Sequence, residues 1–267
     1  MLAEKYFPVE SSRYKRFVGL FQKLDSFFAL SPDRWFSIWT IVLAGANTAA
    51  HLENRWVYWD WSTFSYLFIP ILVFSIWLDR YFNKLQFFSN NIDSIQSALS
   101  VIFRGGIFFI LGMLPIGFNY LTIIYGIPYI IFFLVGYMVW SIQIDLKEKN
   151  PPLKATILPF LIIITLLTIL SSIIGYINDD PIISTIGAVY APFPLVALIF
   201  PSAIRHIQRC RMHVIFIPAM FLSVRFPWFL IMVTLLFWLL RYYNYFRFGE
   251  VKPSYWEHRT GMPLICR

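Results

Sequence analysis

Acidic residues are scarce in this chain: 14 of its 267 residues are Asp or Glu, against 22 Lys and Arg. Charged residues together make up 13% of the sequence, where soluble domains carry about a quarter. Cysteine is almost missing. The two present, Cys210 and Cys266, fall in segments expected to face the cytoplasm, which excludes a disulfide framework. The four histidines, His51, His206, His213 and His258, form no i, i+4 pair, and no C-x-x-C accompanies them. No metal site is therefore expected. There is no G-x-S-x-G, which removes the usual hydrolase elbow. Every Asp and Glu maps to an expected loop or to the end of an apolar span. A proton pump carries ionisable groups inside its spans, so transport ranks below the other readings.

What is abundant is apolar and aromatic surface. Hydrophobic residues reach 58% and aromatic residues 20%, with a mean hydropathy of +0.65. A soluble protein of this composition would expose apolar patches that soluble monomers avoid. The bilayer is the solvent that fits. The net charge of +8 lies mainly between apolar spans, so it reads as membrane orientation and not as a nucleic-acid surface.

The expected fold class is an all-α polytopic bundle of about seven or eight membrane segments plus an interfacial amino-terminal helix. Residues 1–34 form a basic cytoplasmic segment with no clean secretory signal. Within it, Phe17, Leu20, Phe21, Leu24, Phe27 and Phe28 recur at helical spacing, the pattern of a helix lying in the interface plane. The bundle occupies 35–240. Apolar spans are expected near Trp35–Leu52, Ser62–Leu78, Ser100–Phe118, Ile123–Ile144, Ala155–Ile177 and Ile182–Ile204. A further block, His213–Leu240, is interrupted by Arg225 and Pro227. Residues 241–267 form a basic, aromatic tail.

Lys and Arg alternate across these spans. Arg80 and Lys84 follow the second, Lys147, Lys149 and Lys154 the fourth, and Arg205, Arg209 and Arg211 the sixth. The intervening turns carry Arg55 or no basic residue. This is the positive-inside pattern with a cytoplasmic amino terminus. The basic tail favours two passes, or a re-entrant dip, for His213–Leu240. Proline recurs within the spans, as at Pro128, Pro192, Pro194 and Pro218. Such helices can wrap a cavity, although proline is also simply commoner in membrane helices. Gly45 with Ala49 and Ser171 with Gly175 permit close helix packing.

Three features bear on function. Arg80, Lys84, Lys147, Lys149, Arg205, Arg209 and Arg211 together make a cytoplasmic rim suited to an anion or a lipid head group, and the same rim is what orientation alone requires. Arg225 is the candidate buried charge. In an unbroken span it would need a partner from another molecule or from carbonyls freed at Pro227, because no carboxylate of this chain is expected at that depth. The basic tail favours a break there instead. His51, at the end of the first span, is a candidate pigment ligand.

The organisation resembles the UbiA superfamily of intramembrane prenyltransferases. The resemblance rests on Leu30-Ser31-Pro32-Asp33-Arg34-Trp35 opening the first span and Asp79-Arg80-Tyr81-Phe82-Asn83 closing the second. Cytoplasmic loops then follow the second, fourth and sixth spans. It implies a prenyl diphosphate held through Mg²⁺ by carboxylates at two such loops. Here Arg80 and Asn83 replace carboxylates at the first place, and Arg205-His206-Ile207-Gln208-Arg209 at the second has none. Mg²⁺ needs hard oxygen ligands, so a shared fold would have lost that chemistry.

The expected function is a non-catalytic subunit of a membrane complex. It would pack against partner membrane proteins, the lipid bilayer, or an isoprenoid pigment or quinone. No cofactor is required and no nucleic acid is expected. The alternative is a divergent lipid- or prenyl-modifying enzyme with its site at the basic loops.

Overall fold

The computed structural model describes residues 2–28, 32–63, 65–84, 92–142, 157–200, 203–204, 207 and 211–248. Among these the chain is helical, with no strand. The helices are α1 (Leu2–Tyr6), α2 (Ser12–Phe28), α3 (Pro32–Ala50), α4 (Phe68–Lys84), α5 (Ile95–Met113) and α6 (Tyr120–Ser141). They continue with α7 (Ile157–Ile177), α8 (Pro181–Tyr190), α9 (Pro192–Ile199), α10 (His213–Arg225) and α11 (Pro227–Phe248). Four helical stretches are long and apolar enough to cross a membrane: α5, α6, α7 and the nearly continuous α8–α9. On α7 the outer face exposes Ile162, Ile163, Leu166, Ile169, Leu170 and Ile173, an apolar stripe that only lipid or another protein would cover. The chain is thus an integral membrane protein.

Neighbouring helices alternate in direction. Arg34 of α3 reaches Asp79 of α4, while further along Trp39 Nε1 donates to the Leu72 carbonyl. Ser172 Oγ of α7 donates to the Ser184 carbonyl of α8, just past the turn at Asp179-Asp180. Phe216 and Phe237 stack edge-on with centroids 6.0 Å apart, either side of Phe226, so α10 and α11 form an antiparallel pair. By contrast α3 and α10 run parallel, with Phe36 against Phe216 and Asn47 against Arg225. The bundle therefore has a proximal end, where α3 and α10 begin and α4 ends, and a distal end holding the turns at 51–67, 114–119, 178–180 and 226. The carboxyl end of α11 is proximal too: Tyr14, Phe17 and Phe21 of α2 pack on its Tyr245 and Phe246.

Glycines set the tightest seams. A Cβ on Gly112 would strike the Val42 carbonyl, and one on Gly45 the Phe109 carbonyl, so α3 and α5 meet backbone to backbone. Gly175 and Gly187 do the same for α7 and α8.

Several boundaries differ from those read in the sequence, for local reasons. The second span begins at Phe68, not Ser62, because Asp60 folds Ser62 and Thr63 into a turn, accepting from Ser62 N at 2.9 Å. The third begins at Ile95, where Ser94 and Ser97 form a reciprocal capping box. The sixth breaks at Ala191, ahead of Pro192 and Pro194. The last block breaks at Phe226, as the Arg225-Phe226-Pro227 sequence favoured. Its second helix runs on to Phe248, into the segment read as tail. His51 lies just beyond α3, which ends at Ala50.

Candidate functional site

Two buried ion-pair nodes sit at opposite ends of α3. Arg34 and Asn47 are 13 residues apart, which on a helix is about 20 Å. The proximal node centres on Asp79, which is 4% exposed. Arg34 Nε lies 2.7 Å from its Oδ2, and Arg34 Nη2 donates to Asn83 Oδ1 at 2.5 Å. Asn83 Nδ2 donates back to Asp79 Oδ2 at 3.3 Å. Arg104, fully buried on α5, pairs with Asp79 Oδ1 and lies 5.6 Å from the Tyr137 ring.

The distal node centres on Asp180, which is 1% exposed. Asp180 caps α8 by accepting from Ile182 N at 3.1 Å. Its Oδ1 pairs with Arg225 Nη2 at 3.3 Å, and its Oδ2 accepts from the Tyr129 hydroxyl at 3.0 Å. Arg225 also donates to the Arg55 carbonyl and to Asn47 Oδ1 at 3.4 Å. Arg55 Nη1 stands 3.8 Å from Asp180 Oδ2, its guanidinium 3.8 Å above the Tyr125 ring. Each node thus sets one carboxylate against two guanidiniums.

The distal loop is latched onto this node. Trp59 N donates to the Val224 carbonyl and Asp60 N to that of Arg225, at 2.8 and 2.9 Å. Trp59 adopts φ 58° to do so, a left-handed conformation that costs a bulky side chain about 1–3 kcal/mol. His51 is held between Asn47 O at 3.1 Å and Asp60 Oδ2 at 3.3 Å. Burial lowers its pKa from the ordinary 6.5.

Between the nodes lies a partly open groove bounded by α3, α6, α8 and α10. Its walls are apolar, with Ile41, Phe133, Ile183 and Pro218 among them and Ser37 and Thr40 along α3. Tyr129 lines the groove and connects it to Asp180.

Arg225 lies at the break that was favoured, but a break was expected to leave it needing no special partner, and it is instead fully buried and paired with an internal carboxylate, Asp180. The reason is the depth of the 178–180 turn, which packs into the bundle behind α10. Asp79 likewise stands inside α4 and not at its end. His51 commits both ring nitrogens to the protein, so a pigment-ligand role would require one of them to be given up. Arg80 and Arg211 lie toward the proximal end, on α4 and just before α10. Lys84 ends α4, its side chain outside the described residues, and Lys147, Lys149, Arg205 and Arg209 fall outside them altogether. No cluster of three or more His, Cys, Asp or Glu with metal-binding geometry occurs among the described residues. Sequence reading passed over Asn47, Arg55, Tyr129 and Asp180. The one signal for Asp180 was an acidic residue between an apolar span and Pro181, in a chain with little acid.

No protein family model matches the chain, no characterised protein matches it, and no solved structure matches its fold.

Proposed function

We propose that the chain is an eight-pass membrane protein with a cytoplasmic amino terminus. In this reading it acts as a non-catalytic subunit that packs against partner membrane proteins and holds an apolar lipid or isoprenoid chain. The observation that carries it is the apolar groove between α3, α6, α8 and α10, set in a bundle where Asp79 and Asp180, the buried carboxylates among the described residues, are both paired with guanidiniums. Asp79 is the residue on which the UbiA-type resemblance would hang Mg²⁺. Its oxygens are spent on Arg34, Arg104 and Asn83, which leaves a poor cage for a hard cation. The serial antiparallel packing of α3 to α11, with α8 and α9 counted as one pass, supports eight crossings. The alternation of basic loops supports the orientation.

Purification from its own membranes in mild detergent, with mass-spectrometric identification of bound chains and lipids, tests the subunit role. Stoichiometric partner chains and a retained apolar ligand are expected. A solitary protein that transfers a prenyl group from a prenyl diphosphate with Mg²⁺, and loses this on Asp79→Ala, would overturn it. The orientation is checked by cysteine-accessibility labelling at positions 149 and 209, expected on one side of the membrane. Labelling from opposite sides would reject the eight-pass arrangement.

A further inference from the structure

The proximal mouth of the groove is built differently from its distal floor. At the floor, Tyr129, Asn47 and Asp180 satisfy one another. Arg211, mostly buried, is not in the lining itself but precedes by one turn Val214 and Ile215, which are. Its guanidinium lies 5.9 Å from the Trp140 ring, and Trp140 follows the groove-lining Gly136 by one turn. Arg211 Nε and Nη2 are buried and have no hydrogen-bond acceptor among the described residues. These two nitrogens share one edge of the guanidinium and point their hydrogens in the same direction. That edge matches two oxygens of a carboxylate or phosphate. Burial lowers the Arg211 pKa to about 10, which still leaves the group charged at neutral pH.

A buried charge with an unanswered donor pair is expensive and calls for an anion. The surroundings say what kind. Tyr190 lies close enough to interact with Arg211, and its ring stacks on Phe193 at 5.5 Å. Phe193 in turn contacts His213 at 5.4 Å. Tyr190 and Trp140 are amphipathic rings of the kind that collect at the head-group level of a bilayer. The amino terminus of α10 follows Arg211 by two residues, adding its positive dipole end. Behind these groups the walls are mostly apolar, with Ser37 and Thr40 the exceptions along α3. A small free anion would find no use for them.

We propose that the groove binds one anionic amphiphile from the membrane. Its phosphate or carboxylate takes the Nε/Nη2 edge of Arg211, and its hydrocarbon chain lies between α3, α6, α8 and α10, passing Gly136 and Ile41 toward Tyr129. This rests on the ligand-holding part of the function proposed above and supplies the head group that part lacked. Gly136 is a natural port for the chain, because a Cβ there would meet only the Val214 methyls at 3.9 Å. Gly136→Ala is therefore tolerated, whereas a larger side chain fills the entrance.

The purified full-length chain in mixed micelles, titrated with phosphatidylglycerol or phosphatidylcholine and read by native mass spectrometry, tests the site. One phosphatidylglycerol per chain is expected in preference to phosphatidylcholine. Arg211→Gln should weaken it about tenfold or more, tenfold being the worth of one charge-assisted hydrogen bond. Arg211→Lys, which keeps the charge without the fork, should fall between. Gly136→Leu should weaken both lipids and Gly136→Ala neither, which separates blockage from misfolding. Soluble glycerol phosphate should not displace the lipid. Wild-type phosphatidylglycerol binding by Arg211→Gln or by Gly136→Leu would overturn the proposal. Displacement by glycerol phosphate as effective as by the lipid would also overturn it, marking a free-anion site. If partner chains co-purify while Arg211→Gln is without effect, the amphiphile site fails and the subunit reading stands.

Discussion

The proximal and distal nodes use the same parts, one buried Asp and two Arg, but join different things. Around Asp79 the members come from α3, α4 and α5, consecutive helices that the chain already holds close. Around Asp180 they come from the loop after α3, from α6, and from the ends of α8 and α10. Asn47 and Arg225 meet across 178 residues. Their exposures differ as well. The Arg34 side chain is 14% exposed, so it has a route to water. Arg225 is fully buried and Arg55 nearly so. A buried ion pair is weak evidence of net stabilisation, because desolvation offsets the attraction. Removing one partner is a different matter, since it strands the charge that is left. The distal node is therefore the costlier one to break, and it fixes the long-range arrangement of helices that loops alone leave open.

The largest expected effect is at Asp180. Asp180→Asn keeps the shape and the cap on α8 but leaves Arg225 and Arg55 without their carboxylate. A loss of about 3–5 kcal/mol is expected, the usual cost of breaking a buried pair. Thermal melts in detergent measure it. Asp79→Asn should cost less, roughly 2 kcal/mol, because Arg34 has a route to water that Arg225 and Arg55 lack. The comparison is sharpened by Asp180→Asn combined with Arg225→Gln, which should recover part of the loss if the stranded charge is its cause. Equal losses at Asp79 and Asp180 would mean that neither the solvent route nor the reach along the chain matters.

The ends of the bundle show where the sequence was readable. The break at Phe226 was legible because Pro227 removes a backbone donor and a basic tail is expected on the same side as the basic amino terminus. The helical character and the membrane setting followed from apolar length. Asp180 was not legible as the partner of Arg225. Its turn looked like any span end, and its depth depends on how α8 packs against α10, a contact between segments far apart in the chain. The start of α4 was misread because Phe64, Tyr66 and Leu67 extend the apolar run upstream of Phe68. What stops the helix there is Asp60 accepting from Ser62, a side-chain event that hydropathy does not register. Gly45 was singled out with Ala49 on its own helix. Gly45 meets the Phe109 carbonyl of α5 while Gly112 of α5 meets that of Val42, and no spacing rule connects two glycines on separate helices.

The smallest effect expected of the distal end is its pH response, and its sign follows from His51. The imidazole is held below its ordinary value of 6.5 mainly by burial. Hydrogen bonds to Asn47 O and Asp60 oppose this in part, and Arg225 adds to it. The folded protein thus takes up this proton less readily than the unfolded chain. Its contribution to stability is complete above about pH 6.5 and is lost as pH falls below that toward the folded value. Asp60 is also lowered, by its hydrogen bonds to Ser62. Its contribution has the same sign but fades only around and below 3.8, the ordinary value. The interval from about pH 7.5 to 5.5 therefore reports on His51 and not on its partner. The informative quantity is a difference: melting temperature against pH for the wild type and for His51→Gln. The variant should lose part of the wild-type decline over that interval while Asp79→Asn, at the far end of α3, keeps it. A decline as steep in His51→Gln as in the wild type would remove His51, and the latch of loop 51–63 onto Arg225, from the acid response of the distal end.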